Sequence, residues 1–315
     1  MIVRNGTNLW RALLSDWPAL LYFLMLSLAA EFTYKHTWIK HTALPLVPLS
    51  VLITAMSIFL AFQINQCYER WWEARRLWGQ LVNLSRSFAR QVTTLLTVQR
   101  IGAIIDEDQQ TRLHRQMLYR QIAYANALRI SLRSGGKFSD EDWLQLTEWL
   151  GETEIMRLRQ VHNVPTQLIQ LQAERFAAII GKNWAEQQIL VQLDNVLNLF
   201  YDVQGGCERI KRTAFPDRFR FHTRTFVWLV ATLIPFSLIQ TDRPFDAIAM
   251  VTETLLAFVF VSIERLGSEL RDPFENRIND TPMSALCRTI EIDLRQQLGE
   301  TEVPVPLEPT EGILM

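Results

Sequence analysis

The hydrophobic positions along this chain gather into four long stretches separated by polar segments. The stretches run from about Trp17 to Phe32, from Ala43 to Phe62, from Phe226 to Ile239 and from Ala247 to Ile263. A helix needs about 20 mostly apolar residues to cross the hydrocarbon core of a bilayer. Only the second stretch reaches that length without a charge. The pattern predicts four membrane-spanning helices, with a buried core helix as the alternative for the third and fourth stretches.

Short polar links join these stretches into two pairs. The link Tyr34–Thr42 follows the first stretch, and Gln240–Pro244 follows the third. Because a short link returns the chain at once, each pair is predicted to form an antiparallel hairpin. Two hairpins place both termini and the long middle segment on the same side of the membrane.

Positive charge indicates which side that is. The segment after the second stretch is rich in arginine: Arg70, Arg75, Arg76, Arg86, Arg90, Arg100, Arg112, Arg115 and Arg120. Lysine and arginine next to spans are retained in the cytoplasm. Arg4 and Arg11 agree with this, whereas a smaller basic cluster at Lys35–His41 argues mildly for the reverse. We therefore predict a multi-pass membrane protein with both termini in the cytoplasm.

The middle of the chain is typical of a soluble helical domain. Apolar residues recur at helical spacing at Leu77, Leu81, Leu84 and Phe88. Gly135-Gly136 predicts a break, and Ser139, with Asp142 three residues on, predicts a helix start. A longer helix is predicted from about Gln187 to Gln204, ending at Gly205-Gly206.

These patterns predict four segments. Residues 1–69 hold the N-terminal segment and the first hairpin, and residues 70–215 a cytosolic helical domain. Residues 216–265 hold the second hairpin, and residues 266–315 cytosolic C-terminal helices and a Pro-rich extended tail.

Composition narrows the class of function. The net charge is -1, which gives no general case for nucleic-acid binding. The three cysteines are far apart in sequence and predict neither disulfides nor a zinc site. No histidine pair, glycine loop or Gly-x-Ser-x-Gly run matches a catalytic or metal motif. We expect no enzyme activity, no metal and no cofactor.

The second stretch continues without a helix-breaking residue into the arginine-rich segment. Thr54, Ile58 and Phe62 lie at i, i+4 and i+8, on one stripe of this helix. If several copies surround an axis, the stripe forms stacked and mostly apolar rings, and such rings can gate ions by dewetting. Ordinary packing between helices is the alternative interpretation of the same spacing.

Three motifs give the chain a family resemblance. The first is Arg70-Trp71-Trp72-Glu73, the second Gly206–Ile210, whose core is Cys207-Glu208-Arg209, and the third Asp272-Pro273-Phe274-Glu275, followed by Asn279-Asp280-Thr281-Pro282. In this order they resemble the bestrophin family, and its bacterial branch in particular, which implies a protein of a bacterial inner membrane. The resemblance covers nearly the whole chain, and it is weakest between Gly135 and Ala185.

The resemblance implies an all-α homopentamer around one pore, with four membrane helices per subunit and a helical cytosolic domain. The family's pore neck falls on Thr54, Ile58 and Phe62, where Thr54 departs from the usual apolar choice. Its second constriction, the cytosolic aperture, falls on Gln188, with the neighbouring Ile189 as the alternative, and an amide at this position is another departure from an apolar ring. The implied partners are other copies of the chain, the bilayer and small permeant ions.

The resemblance does not extend to the calcium site of animal members. There an acidic run follows the Asp-Pro-Phe motif, whereas here Glu275 is followed by Asn276, Arg277 and Ile278. Calcium needs several oxygen ligands at one loop, so we predict a structural role for this motif instead. Glu253 is an ionisable residue deep inside a predicted span, which makes it a candidate functional group.

The function predicted from all this is a passive channel for small monovalent ions. The neck carries no charge that fixes the sign of the ion, although Asp194 and Asp202 would favour cations if they face the axis. A non-conducting membrane scaffold or sensor with a cytosolic partner-binding domain is the alternative.

Overall fold

The computed structural model describes residues 16–36, 45–97, 107–180, 184–213, 217–237, 246–309 and 314. These residues form ten α-helices and one short 3-10 helix, and none of them lies in a β-strand. The predicted all-α class is therefore confirmed for the described part of the chain. The links Gln240–Pro244 and most of Tyr34–Thr42, with Arg4 and Arg11, lie outside it.

The helices are α1 (Trp17–His36), α2 (Leu46–Leu95), α3 (Glu107–Ser134), α4 (Asp140–Leu146), α5 (Glu152–Leu158), α6 (Val164–Ile179), α7 (Trp184–Arg212), α8 (Asp217–Leu233), α9 (Ala247–Leu270) and α10 (Met283–Gln297). The 3-10 turn Ile234–Phe236 follows α8 directly.

The chain divides into two compact units. One contains Trp71–Thr213 and Asp272–Met315, and we call it the helical unit. The other contains Asn5–Arg70 and Ala214–Arg271, and we call it the span unit. Helix α2 contributes residues to both, because it runs unbroken for 50 residues. This confirms the predicted continuous helix and extends it past Trp78 to Leu95.

Three described helices are long and apolar enough to cross a membrane. They are α1, the apolar part of α2 and α9, with mean hydropathies of 1.2, 2.1 and 1.8. Helix α8, which holds most of the third predicted stretch, has only 17 residues and begins with a charged turn. The count of four spans therefore stays a prediction.

The span unit packs its helices around a small apolar core. Helix α9 contacts both α1 and α8. Phe23, Leu60, Val227 and Phe260 contribute to the buried cluster. Glu253 lies in this packed region with only 1% of its surface exposed. A hydrogen bond joins it to Ser27, which fits a role in holding α1 against α9.

The helical unit has a larger core, built around aromatic rings from four helices. The ring of Phe88 on α2 lies 6.1 Å from Phe176 on α6 and 5.9 Å from Phe200 on α7. Tyr124 on α3 lies 5.5 Å from Phe200, and its hydroxyl donates to the Phe200 carbonyl oxygen. These contacts fix α2 and α7, the helices that carry the first two family motifs.

The predicted break after α3 is confirmed. Gly135 and Gly136 have φ of +67° and +90°, a region that glycine enters without steric cost. The Gly136 N–H donates to the Ser131 carbonyl oxygen, which closes the helix end. Ser139 caps α4, and its hydroxyl and backbone exchange hydrogen bonds with Asp142 as predicted.

The predicted end of α7 is wrong. The helix does not stop at Gly205-Gly206 but continues to Arg212. Glycine costs about 1 kcal/mol relative to alanine inside a helix. Burial of Val203, Cys207 and Ile210 on the same face offsets that cost.

Candidate functional site

In the span unit, α2 has one packed face and one open face. Met56, Leu60, Gln63 and Cys67 lie on the packed face, and each has less than a tenth of its surface exposed. The open face carries large apolar side chains, among them Ile58 and Phe62, which are 55% and 67% exposed. Exposed apolar surface of this extent needs lipid, another copy of the chain or a pore to account for it.

The structure places Thr54, Ile58 and Phe62 together on this open face, as the spacing predicts. The Thr54 hydroxyl donates a hydrogen bond of 2.8 Å to the Ser50 carbonyl oxygen of its own helix. Its only donor is therefore used within the helix. The stripe thus presents a methyl group and an acceptor oxygen at Thr54, an aliphatic side chain at Ile58 and an aromatic ring at Phe62.

Sequence reasoning missed two polar residues that continue the stripe. Asn65 and Glu69 follow Phe62 at three and seven residues, which returns them to nearly the same side of the helix. Both are exposed, and the Asn65 amide donates to the Glu69 carboxylate at 2.8 Å. The helical spacing that groups Thr54, Ile58 and Phe62 would have found them, had it been followed past the apolar stretch.

The two candidates for the aperture, at the start of α7, differ in how far their side chains are exposed. Gln188 is exposed, whereas Ile189 is half-buried and packs against the core of the helical unit. Gln188 is therefore the residue of the two that is available to line an opening.

The two aspartates on α7 lie at different angles around the helix from Gln188. Both Asp194 and Asp202 are exposed. At about 100° per residue, Asp202 lies roughly 40° from Gln188 around the helix, whereas Asp194 lies about 120° away. Asp194 accepts a hydrogen bond from Asn198 at 3.3 Å. Asp202 is therefore the acid that shares the Gln188 face.

Within the helical unit the three motifs bond to one another. The indole N–H of Trp71 donates to the Asn279 carbonyl oxygen at 2.7 Å. Glu73 pairs with Arg209 at 2.5 Å. Lys211, which follows the second motif, pairs with Glu275 of the third at 2.6 Å. Segments far apart in the sequence are thus joined at one place, while Trp72 stays 53% exposed.

Glu208 holds a different set of partners. Its Oε1 accepts hydrogen bonds from Asn163 at 3.0 Å and from Gln204 at 2.7 Å. Arg212 approaches its other oxygen at 3.3 Å. Asn163 also caps α6 by accepting from the Thr166 N–H. Glu208 therefore ties the start of α6 to α7, whereas its neighbour Arg209 ties α7 to α2.

The Asp-Pro-Phe motif folds back into the core. Pro273 and Phe274 are buried, and the Thr281 N–H donates to the Pro273 carbonyl oxygen at 3.0 Å. Asp280, 2% exposed, accepts from the Arg277 N–H at 3.0 Å. Burial raises the pKa of its carboxyl above the ordinary value. Asp272 is half-buried at the start of the loop, and Arg70 is half-buried at the end of the span unit's part of α2.

Among the described residues, no group of three or more His, Cys, Asp or Glu side chains is placed to hold a metal ion. Glu275 is paired with Lys211 instead. The cysteines Cys67, Cys207 and Cys287 are buried as free thiols. Burial raises the pKa of the Cys287 thiol to about 12, so it is protonated at neutral pH.

The sequence matches one protein family over almost its whole length. The family is described as bacterial/fungal bestrophin protein, and its sequence model matches residues 11–296. This range includes all three motifs and every candidate pore residue named above.

Curated relatives are similar over a comparable range. The voltage-dependent anion channel-forming protein YneE of Escherichia coli K12 is 33% identical over 297 residues, which cover 92% of this chain and 89% of that protein. The protein of the same name from Salmonella typhi is 32% identical over 324 residues, with 98% of each chain covered.

Solved structures agree with these relatives. A bacterial bestrophin homolog from Klebsiella pneumoniae superposes with a TM-score of 0.78 at 26% sequence identity. The match covers 91% of this chain and 99% of that one.

Proposed function

Because this chain belongs to the bacterial/fungal bestrophin family, we propose that it is a subunit of a passive ion channel in the bacterial inner membrane. The relatives are named as channel-forming proteins, and this agrees with the expectation that the chain is not an enzyme. The neck of the pore is formed by Thr54, Ile58 and Phe62.

The observation that carries the proposal is the exposed stripe on α2. Ile58 and Phe62 expose more than half of their surface in a single chain, on the face opposite the packed one. Copies of the chain around an axis turn this stripe into closed rings, and apolar rings exclude water and gate ions. We propose five copies, the number that the family resemblance implies.

The proposed membrane topology follows from the distribution of positive charge along the chain. The arginine-rich segment that follows the apolar part of α2 stays in the cytoplasm, together with both termini. Four spans per subunit are proposed, with α8 and the turn after it as the third. The motif contacts within the helical unit support a structural role for the Arg-Trp-Trp-Glu, Cys-Glu-Arg and Asp-Pro-Phe residues.

Two observations indicate the charge of the permeant ion, and they disagree. The names of the relatives favour anions. Two carboxylates of this chain, Glu69 on the α2 stripe below the neck and Asp202 on the Gln188 face of α7, favour cations because acidic rings concentrate them. We take the residues of this chain as the guide and propose monovalent cations as the favoured ions.

Ion flux from liposomes tests the proposal. Purified protein is expected to conduct, and Ile58→Ala with Phe62→Ala is expected to conduct faster because the neck is widened. Leu52→Ala is the matched control, since Leu52 is 48% exposed on the same helix but lies about 120° away from Ile58. The proposal fails if neither the native protein nor the double variant conducts.

The mass in detergent tests the ring separately. A pentamer has five times the 36.7 kDa of one chain. A monomer would remove the axis on which the neck depends.

A further inference from the structure

An open cleft of about 1090 Å³ lies within the span unit, apart from the stripe on α2. Its walls come from the beginning of α1, the beginning of α8 and the end of α9. Under the proposed topology this is the cytoplasmic end of all three helices, where headgroups meet the hydrocarbon core.

The walls of the cleft change from charged to apolar in one direction. Along α8, Arg220, Arg224 and Trp228 line the cleft one turn apart on the same side of the helix, and Phe221 lines it beside Arg220. Along α1 the lining runs from Asp16 to Tyr22, again from the charged end toward the aromatic one.

Helix α9 shows the same change between apolar and charged lining residues, but in the reverse order along its sequence. Its lining residues run from Val261, which is buried, to Arg265 and then Ser268 at the charged end. Three helices therefore place polar groups at the same level and apolar groups deeper, which is the arrangement of a phospholipid itself.

The residues that line the cleft carry a net positive charge. Its acids are Asp16 and Glu264, against three arginines. Arg265 forms an ion pair with Asp16 and another, at 3.6 Å, with Glu269, which does not line the cleft. Within the described residues Arg224 makes no hydrogen bond or ion pair, although it lies close enough to Glu264 to attract it electrostatically. The cleft thus carries more positive than negative charge, and Arg224 is exposed.

We propose that this cleft binds an anionic phospholipid of the cytoplasmic leaflet. Its phosphodiester lies at Arg220 and Arg224, because guanidinium groups bind phosphate oxygens with paired hydrogen bonds. Its acyl chains lie along Tyr22 and Trp228, since such rings favour the membrane interface. Basic pockets between membrane helices on the cytoplasmic side suit such headgroups.

A soluble phosphate would satisfy the arginines but not the rest of the cleft. The volume exceeds what a single phosphate group fills, and the aromatic wall offers it no partner. The proposal rests on the proposed membrane topology and not on conduction.

Lipid retention measured by native mass spectrometry tests the site. The full-length protein is mixed with phosphatidylglycerol or phosphatidylcholine of identical acyl chains, and with soluble glycerol phosphate as a third arm. We expect preferential retention of phosphatidylglycerol and no retention of glycerol phosphate. Arg220→Gln and Arg224→Gln should each weaken retention roughly fivefold.

Arg218→Gln is the matched control, because Arg218 lies on the same exposed turn of α8 but does not line the cleft. Equal retention of the two lipids, an equal loss in this control, or equal binding of glycerol phosphate would each overturn the proposal. The variant Arg220→Lys with Arg224→Lys keeps the charge and should retain the lipid, so that misfolding is separated from loss of binding. Flux from the same protein is measured in parallel, and a protein that retains the lipid without conducting would refute the channel alone.

Discussion

The indole N–H of Trp71 donates a 2.7 Å hydrogen bond to the backbone carbonyl oxygen of Asn279, across 208 residues of sequence. This bond joins the Arg-Trp-Trp-Glu motif on α2 to the loop after the Asp-Pro-Phe motif. Together with the Glu73–Arg209 and Lys211–Glu275 pairs, it accounts for the presence of three separated motifs in one chain. Their shared task in this structure is to hold α2, α7 and the loop Asp272–Pro282 together.

Substitution of Trp71 by Phe should destabilise the helical unit. The aromatic packing is largely kept, but the Asn279 carbonyl oxygen loses the indole N–H, at a cost of about 1 kcal/mol. Thermal unfolding in detergent measures the change. Trp72→Phe is the control, since the Trp72 ring is 53% exposed and should tolerate the change better. An equal loss in both variants would contradict a special role for the Trp71 bond.

The buried imidazole of His114 should make the protein less stable in mild acid. Its Nε2 lies 2.8 Å from the Leu96 carbonyl oxygen, and burial lowers its pKa below the ordinary 6.5. Between the two pKa values the unfolded chain binds a proton that the folded chain does not. Stability is therefore full above pH 6.5 and is lost as the pH falls from there to the folded pKa, by at most about 1.4 kcal/mol per pH unit.

Unfolding by denaturant at pH 7.5 and at pH 5.5 measures this dependence. His114→Gln keeps a donor for the Leu96 carbonyl oxygen but cannot titrate, so its stability should change less between the two pH values. If the stability of the variant falls between pH 7.5 and pH 5.5 as much as that of the native protein, the acid sensitivity comes from other groups.

Glu69 should set the charge preference of the pore below the neck. Glu69→Gln removes the carboxylate that Asn65 holds at 2.8 Å and should lower the cation-to-anion permeability ratio, roughly twofold or more. Reversal potentials in asymmetric salt measure the ratio. Glu69→Asp keeps the charge and is the control. If the native protein already reverses near the chloride potential, the proposed cation preference is wrong.

Local signals predicted the parts of the fold that local physics decides. The absence of helix breakers after Ser50 predicted the continuous α2, and Ser139 with Asp142 predicted the start of α4. The same reasoning placed the end of α7 too early, at Gly205-Gly206. A pair of glycines normally marks a helix end. Nothing nearby in the sequence indicates that Leu77 packs against Gly206.

The candidate site shows the same limit. Helical spacing brought Thr54, Ile58 and Phe62 onto one face, because that relation is internal to α2. The difference in exposure between Gln188 and Ile189 could not be predicted from the sequence, because it depends on which residue packs against the distant core of the helical unit. The hydrogen bond between Trp71 and Asn279 could not be predicted from the sequence either, because neither motif by itself indicates which residue it contacts.

The two glycines inside α7 offer a test of that packing. A Cβ on Gly205 would meet nothing within 4 Å, so Gly205→Ala should stabilise the helix by about 1 kcal/mol through propensity alone. A Cβ on Gly206 would lie 2.9 Å from Cδ1 of Leu77, which forces that side chain to move. Gly206→Ala should therefore be less stable than Gly205→Ala by about 1–3 kcal/mol, the usual cost of overpacking.

Thermal unfolding of both variants in the same detergent gives the comparison. Leu77→Ala in the Gly206→Ala background removes the atoms that clash, so it should cost less there than in the native chain. A rescue of this kind identifies the α2 and α7 contact as the reason for glycine at position 206. If the two alanine variants are equally stable, Leu77 accommodates the methyl group freely, and the persistence of α7 through both glycines must then come from the buried residues Val203, Cys207 and Ile210 alone.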